Sequence, residues 1–171
     1  MFDALKPANP LRNDWQRMTV LDEIDCTILA ELQERGDVPN IELARLAGLS
    51  PAATSRRVAR LRFEGVIEAV RAVVVPEEVG LPIEAFILVT LAEHAPEADA
   101  RFAREVATMP AVLRADSVAG AEDALLQVAV ATPADLQRLL LALKRAGAAR
   151  LTTMLRLQTI KPAAPLAIRV T

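Results

Sequence analysis

Three guanidinium groups, Arg56, Arg57 and Arg60, lie within one short stretch of LARLAGLSPAATSRRVARLRFEGVI (43–67). A guanidinium is a planar fork of N–H donors that grips a phosphate, or the O6 and N7 of guanine, through two hydrogen bonds at once. Arg57 abuts the apolar Val58, and its alternative role is to pair with Asp25 or Glu23 of the preceding helix. Ser50 and Ser55 supply hydroxyls for phosphates. Ala52 and Ala53 are small enough to allow close approach or to touch a thymine methyl. Arg71, farther on, is placed to reach the backbone or the minor groove. The chemistry offered by Ser50, Ala52, Ser55, Arg56, Arg57, Arg60 and Arg71 is recognition of double-stranded DNA.

The elements that must position these groups follow from spacing. Leu43, Leu46 and Leu49 give a short helix its apolar side, and Gly48 supplies the positive φ of a tight helix-to-helix turn. Ser50 is a good N-cap and Pro51 suits the first helical position. Within the helix that follows, Thr54, Val58 and Leu61 point inward at i, i+4, i+7, leaving the arginines outside that stripe. Gly65 stops the helix, and VIEAVRAVVV continues as an extended run. Upstream, Leu21, Ile24, Ile28 and Leu32 keep helical spacing, with Asp22, Glu23 and Asp25 near the positive end of the helix dipole. Gly36 terminates that helix and Asn40 caps the next. Residues 21–75 therefore read as a winged helix-turn-helix, whose recognition helix enters a major groove.

PEEVGLP (76–82) breaks the pattern and reads as a linker. Beyond it, over 83–161, the order is β-α-β-β-α-β, the ferredoxin-like split arrangement, so the fold class is α+β. Phe86 and Leu88 mark one face of the first strand, and Ile87, Val89 and Leu91 the other. A helix over 97–108 turns Phe102, Ala103 and Val106 inward. A second helix opens at Thr132–Pro133 and buries Leu136, Leu139, Leu140 and Leu143, with Gly147 closing it. In the last strand Leu151, Leu155 and Leu157 oppose Met154 and Ile160. Two helices cover one face of a four-stranded sheet, and an apolar second face is larger than monomers usually expose. That face is expected to pack on a second copy, giving a homodimer that presents two recognition helices to a two-fold DNA site.

Composition narrows the function classes. The 171 residues carry a net charge of −2, yet residues 45–71 hold six arginines and two acids, a +4 patch on a −6 remainder. That is a local electrostatic footprint for a polyanion. The 53% hydrophobic content supports packed cores, while no apolar run reaches membrane-spanning length. One histidine and one cysteine exclude the usual zinc constellations and any disulfide within the chain. No cofactor, metal site or catalytic residue is expected, and the N-terminus lacks the apolar region of a secretory signal, so the chain reads as a soluble cytoplasmic protein. Residues 1–20 form an extension in which only Trp15 offers a packing point, with Met18 an alternative start. His94 reads as an exposed loop residue, and residues 162–171 as a tail. With 3% aromatics and no tyrosine there are few platforms for stacking single-stranded bases.

Taken together, LDEIDCTILAELQERG (21–36), LARLAGLSPAATSRRVARL (43–61), EGVIEAV (64–70), GAEDALL (120–126) and TTMLRL…IK (152–161) resemble the Lrp/AsnC family of transcription regulators. The resemblance covers about residues 20–161. It implies a winged helix-turn-helix joined to a ferredoxin-like effector domain, in a dimer that assembles further to tetramers or octamers and responds to amino acids. By position in the family pattern, Gly120, Asp123, Thr152 and Thr153 would form the effector pocket, a carboxylate holding an ammonium group and hydroxyls or an amide holding a carboxylate. The rival reading of Gly120–Asp123 is a β-turn in which Asp123 bonds its own backbone. The sequence departs from the family at Cys26, often basic in relatives and here a small hydrophobe, and at the turn 36–39, which lacks basic residues. It departs again at Ala124, where an aromatic is usual. Two other functions resemble parts of this pattern: enzymes that decarboxylate sirohaem, which rely on C-terminal-domain histidines where this sequence has a single His and no tyrosine, and architectural DNA-binding proteins without an effector.

Overall fold

Helix α1 (Glu23–Glu34) starts where the Asp22 carboxylate accepts the Asp25 N–H at 2.8 Å while Asp25 accepts the Asp22 N–H, a reciprocal capping box. It is followed by α2 (Asn40–Leu46) and α3 (Pro51–Phe63). These helices come from a computed structural model that describes residues 19–93 and 95–170. The readings made for residues 1–18 and for His94 lie outside the described residues. The described chain divides into two units: one holds Thr19–Ala72 together with Ala163–Val170, and the other runs from Val73 to Pro162.

In the first unit the turn between α2 and α3 is made as the spacing requires. Gly48 sits at φ 66°, where an L side chain is strained, and Ser50 accepts the Ala53 N–H at 3.2 Å ahead of Pro51. Asn40 does not cap α2. The N-cap is Pro39, and Asn40 is the first helical residue, donating from Nδ2 to the Pro51 carbonyl at 3.0 Å, so it ties α2 to the start of α3 instead. Ile28, Leu29, Leu43 and Leu61 form the buried centre of the three helices, with Val58, Val66 and Ile67 packed around it. Cys26 is partly buried on α1, less enclosed than a core hydrophobe. Gly36, just past α1, has a further reason to lack a side chain: a Cβ there would meet Val70 Cγ1 at 2.8 Å. The extended run from Ile67 to Val75 pairs with no strand among the described residues, so within them the helix-turn-helix has no strand ladder of a wing. A β ladder needs a neighbouring strand to supply its partner bonds, and Val73 is left 97% exposed.

The second unit opens with a 3₁₀ turn (Glu77–Val79) inside the expected linker and then follows the split arrangement. Strands β1 (Ile83–Leu91), β2 (Val112–Ser117), β3 (Ala124–Val130) and β4 (Ala148–Leu155) form one antiparallel sheet in the order β2-β3-β1-β4, with α4 (Pro96–Ala107) and α5 (Pro133–Ala146) between strands. Ala85, Ile87, Val89, Leu126 and Val128 turn to the helices and are fully buried against Phe102, Val106, Leu139 and Leu143. Ala103 is exposed; Ala98, one turn before Phe102, takes the inward place. The opposite face carries Phe86, Leu88, Leu125, Met154 and Thr152, matched across the strands by register. Leu157 and Ile160 lie beyond the end of β4 and are each 94% exposed.

Leu61 is fully buried where the three N-terminal helices meet. Leu61→Ala is expected to lower the stability of the first unit by about 2–5 kcal/mol, measured by denaturant titration of the full chain.

Candidate nucleic-acid interface

Helix α3 carries two kinds of arginine. Arg57 Nη1 donates to Asp22 at 2.7 Å and to Asp25 at 2.9 Å, and Arg60 Nη2 donates to Asp25 at 2.5 Å. The Asp25 side chain is only 2% exposed, whereas the two arginine side chains keep 29% and 39% of their surface. Enclosing a carboxylate this far is costly unless it is paired and hydrogen-bonded. Asp25 has two, plus the capping bond to the Asp22 N–H. The pairing of Arg57 with α1 is thus realised through Asp22 and Asp25 rather than Glu23, and Arg60 joins it. Arg60 also lies 3.6 Å from Glu64. Hydrogen bonds and charge from these acids raise both guanidinium pKa values still further above their ordinary value.

Arg56 faces the other way. It is exposed, and its Nε donates to the Ala52 carbonyl one turn back at 3.3 Å, which lays the guanidinium along the helix surface. The exposed stripe of α3 reads Ala52, Ser55, Arg56, Ala59, Arg62, with Phe63 93% exposed at its end. Ser50 stands at the head of this stripe as the cap, and Ala53 is half-buried beside it. Arg62 was missing from the sequence-derived contact set. It lies seven residues after Ser55, two turns along the same face, and the spacing could have located it. Arg71 is exposed on the extended run. The surface as a whole offers small residues flanked by cations, a shape that admits the floor of a groove and binds its phosphate edges.

The four positions expected to bind an effector are not brought to one point within a single chain. Thr152 pairs in register with Leu88 on the open face, while Thr153 pairs with Ile87 on the helix-covered face, since strand residues alternate. Gly120 lies exposed in the turn between β2 and β3. Asp123 does bond backbone, but across the sheet: its Oδ2 accepts the Leu91 N–H at 2.7 Å, and its own N–H donates to the Val89 carbonyl at 2.8 Å. Asp123 also lines a cavity of about 500 Å³ between α4 and β2, with Asp99, Phe102, Val106, Val112 and Ser117. Neither threonine lines that cavity. Among the described residues no cluster of histidine, cysteine and carboxylate side chains could hold a metal, and no helix is long and apolar enough to cross a membrane.

Two domain families match this chain. The AsnC-type helix-turn-helix domain aligns with residues 21–62, and the Lrp/AsnC ligand binding domain with residues 84–166. A leucine-responsive regulatory protein of Haemophilus influenzae is 35% identical over 125 residues, covering 73% of this chain and 75% of that one. A transcriptional regulator of Neisseria meningitidis, solved with L-methionine, superposes with a TM-score of 0.78 at 32% identity, covering 85% of this chain and 96% of the other. The feast or famine regulatory protein of M. tuberculosis, also solved with L-methionine, gives 0.75 at 31% identity, over 88% and 99%. The chain belongs to the Lrp/AsnC family of transcriptional regulators. It is a DNA-binding regulator and not an enzyme, which sets aside the decarboxylase reading.

Two outcomes follow from the acid–arginine cluster. Asp25→Ala strands two guanidiniums and is expected to destabilise the chain by about 1–3 kcal/mol, less than for a fully buried pair because both arginines are partly solvated; thermal unfolding measures it. The Asp22 carboxyl is held below its ordinary pKa, first by the Asp25 N–H and then by Arg57. A carboxyl with a depressed folded pKa adds stability that is present above the unfolded value and lost as pH falls through the folded one. Stability is therefore expected to fall with pH below about 4, and Asp22→Asn to flatten that fall in an acid titration.

Proposed function

We propose that this regulator reads duplex DNA through the outward stripe of α3, with Arg56 as its principal contact and Ser50, Ala52, Ser55 and Arg71 around it. The observation that carries the reading is the division of labour on α3. Arg57 and Arg60 spend their Nη donors on Asp22 and Asp25, whereas among the described residues no acid pairs with Arg56, which lies on the exposed face. Arginine has five N–H donors. Arg57 and Arg60 therefore contribute to phosphates only through the donors the acids leave over, and otherwise they hold the helix in place.

The working unit is a cytoplasmic homodimer, with dimers gathering into tetramers or octamers. The open sheet face supports this. Phe86, Leu88, Leu125 and Met154 form its apolar centre, and it is rimmed by two ion pairs, Arg114 with Asp116 at 2.6 Å and Arg156 with Glu84 at 2.5 Å. An apolar centre inside a charged rim is the anatomy of a protein–protein interface. The effector is an amino acid, the class found on the two regulators solved with L-methionine. The cavity beside Asp123 suits its side chain and ammonium group, with apolar walls at Phe102, Val106 and Val112 and carboxylates at Asp99 and Asp123. Gly120, Thr152 and Thr153 lie outside this cavity and bear on a ligand only where a neighbouring subunit completes the site.

The test is titration of the duplex upstream of the protein's own coding region over a salt series. Arg56→Ala is expected to weaken binding at least tenfold with unchanged thermal stability and to make the salt slope shallower by about one unit. Arg57→Ala is expected to lower both affinity and stability. Equal binding by Arg56→Ala and the parent protein would overturn the assignment. Broad binding to any duplex, indifferent to L-methionine and other amino acids, would instead support an architectural role.

A further inference from the structure

The segment after β4 does not stay with the sheet it leaves: residues from Ala163 group with the DNA-binding unit. Pro162 and Pro165 exclude a continuing helix and keep it extended. On α1, Gln33 then meets this segment with both halves of its amide. Its Nε2 donates to the Leu166 carbonyl at 3.2 Å, and its Oε1 accepts the Leu166 N–H at 2.7 Å. One side chain thus satisfies both backbone groups of a single residue, as an adjoining β-strand would. The Leu166 side chain is 78% exposed, so residue 166 is held by its backbone and not by burial. Two residues on, Ile168 packs against the core of Ile28, Leu29, Leu43 and Leu61. This core closes around α3, so a segment that packs on it bears on the recognition helix.

We infer that residues 163–170 are a strap, docked in cis on α1 through Gln33 and Ile168, that holds the helix-turn-helix in its DNA-binding form. Because the chain passes between the two units a second time at 162–163, release of the strap is a means by which events at the end of β4 reach DNA affinity. This coupling rests on the DNA-binding reading above; the docking itself does not.

The experiment compares the full chain, a truncation after Pro162, Gln33→Ala, and the two changes combined, by amide hydrogen exchange over α1 and by duplex affinity. The truncation is expected to speed exchange over residues 24–35 by about tenfold, the order expected for losing two hydrogen bonds, and to weaken duplex binding at least threefold. The combined variant is expected to be no worse than the truncation alone, because both changes remove one contact. Unchanged exchange after truncation would overturn the strap. Faster exchange with unaltered duplex affinity would overturn its coupling to DNA binding. Failure of the intact protein to bind duplex would count against the DNA-binding reading alone, since the exchange measurement tests docking without DNA.

Discussion

The DNA-binding unit is organised around one enclosed carboxylate. Asp25 completes the cap of α1, accepts from two arginines of α3, and is almost fully out of water. Removing a charge from solvent is costly unless it is paired and hydrogen-bonded, so the position of Asp25 dictates that Arg57 and Arg60 turn toward α1. That requirement fixes the rotation of α3 about its own axis. Once Thr54 and Leu61 point inward and Arg57 and Arg60 turn to α1, the remaining surface can only be Ala52, Ser55, Arg56, Ala59 and Arg62. The surface available for reading DNA is, in this sense, what the structural cluster leaves over.

The second unit answers to a different constraint. A four-stranded sheet with two crossover helices has one covered face, and its strands here are apolar on both. The covered face supplies the core of Ile87, Val89, Leu126 and Val128. The uncovered face keeps its hydrophobic residues within charged margins. The same division acts on the candidate effector residues. Strand alternation separates Thr152 from Thr153, and hydrogen bonding across the sheet commits Asp123 to the backbone of β1 before any ligand arrives.

Much of this was legible in the residues themselves. Ser50–Pro51 and Thr132–Pro133 announced their helices through caps that need only local geometry. Alternation along β1 separated Phe86 and Leu88 from Ile87 and Val89 correctly. What stayed hidden depends on contacts distant in sequence. The engagement of Arg60 by Asp25 spans 35 positions, and helical periodicity says only that Arg60 lies off the apolar stripe. The capping role expected of Asn40 is not filled: Pro39 holds the N-cap position without a side-chain cap bond, and the Asn40 amide donates to the Pro51 carbonyl instead. The run VIEAVRAVVV has strong β propensity, yet among the described residues it has no neighbouring strand, and propensity alone makes no ladder. The return of Leu166 and Ile168 to α1 gave no signal in the sequence, since a proline-bounded polar-apolar segment looks the same whether docked or free.

The most direct test of this account is a crystal structure of the protein on a duplex that it binds. Arg56 and Ser55 are expected within hydrogen-bonding distance of DNA atoms, while Arg57 Nη1 stays on Asp22 and Asp25. Arg57 released from both acids and seated on a base edge, with Arg56 turned to solvent, would contradict it.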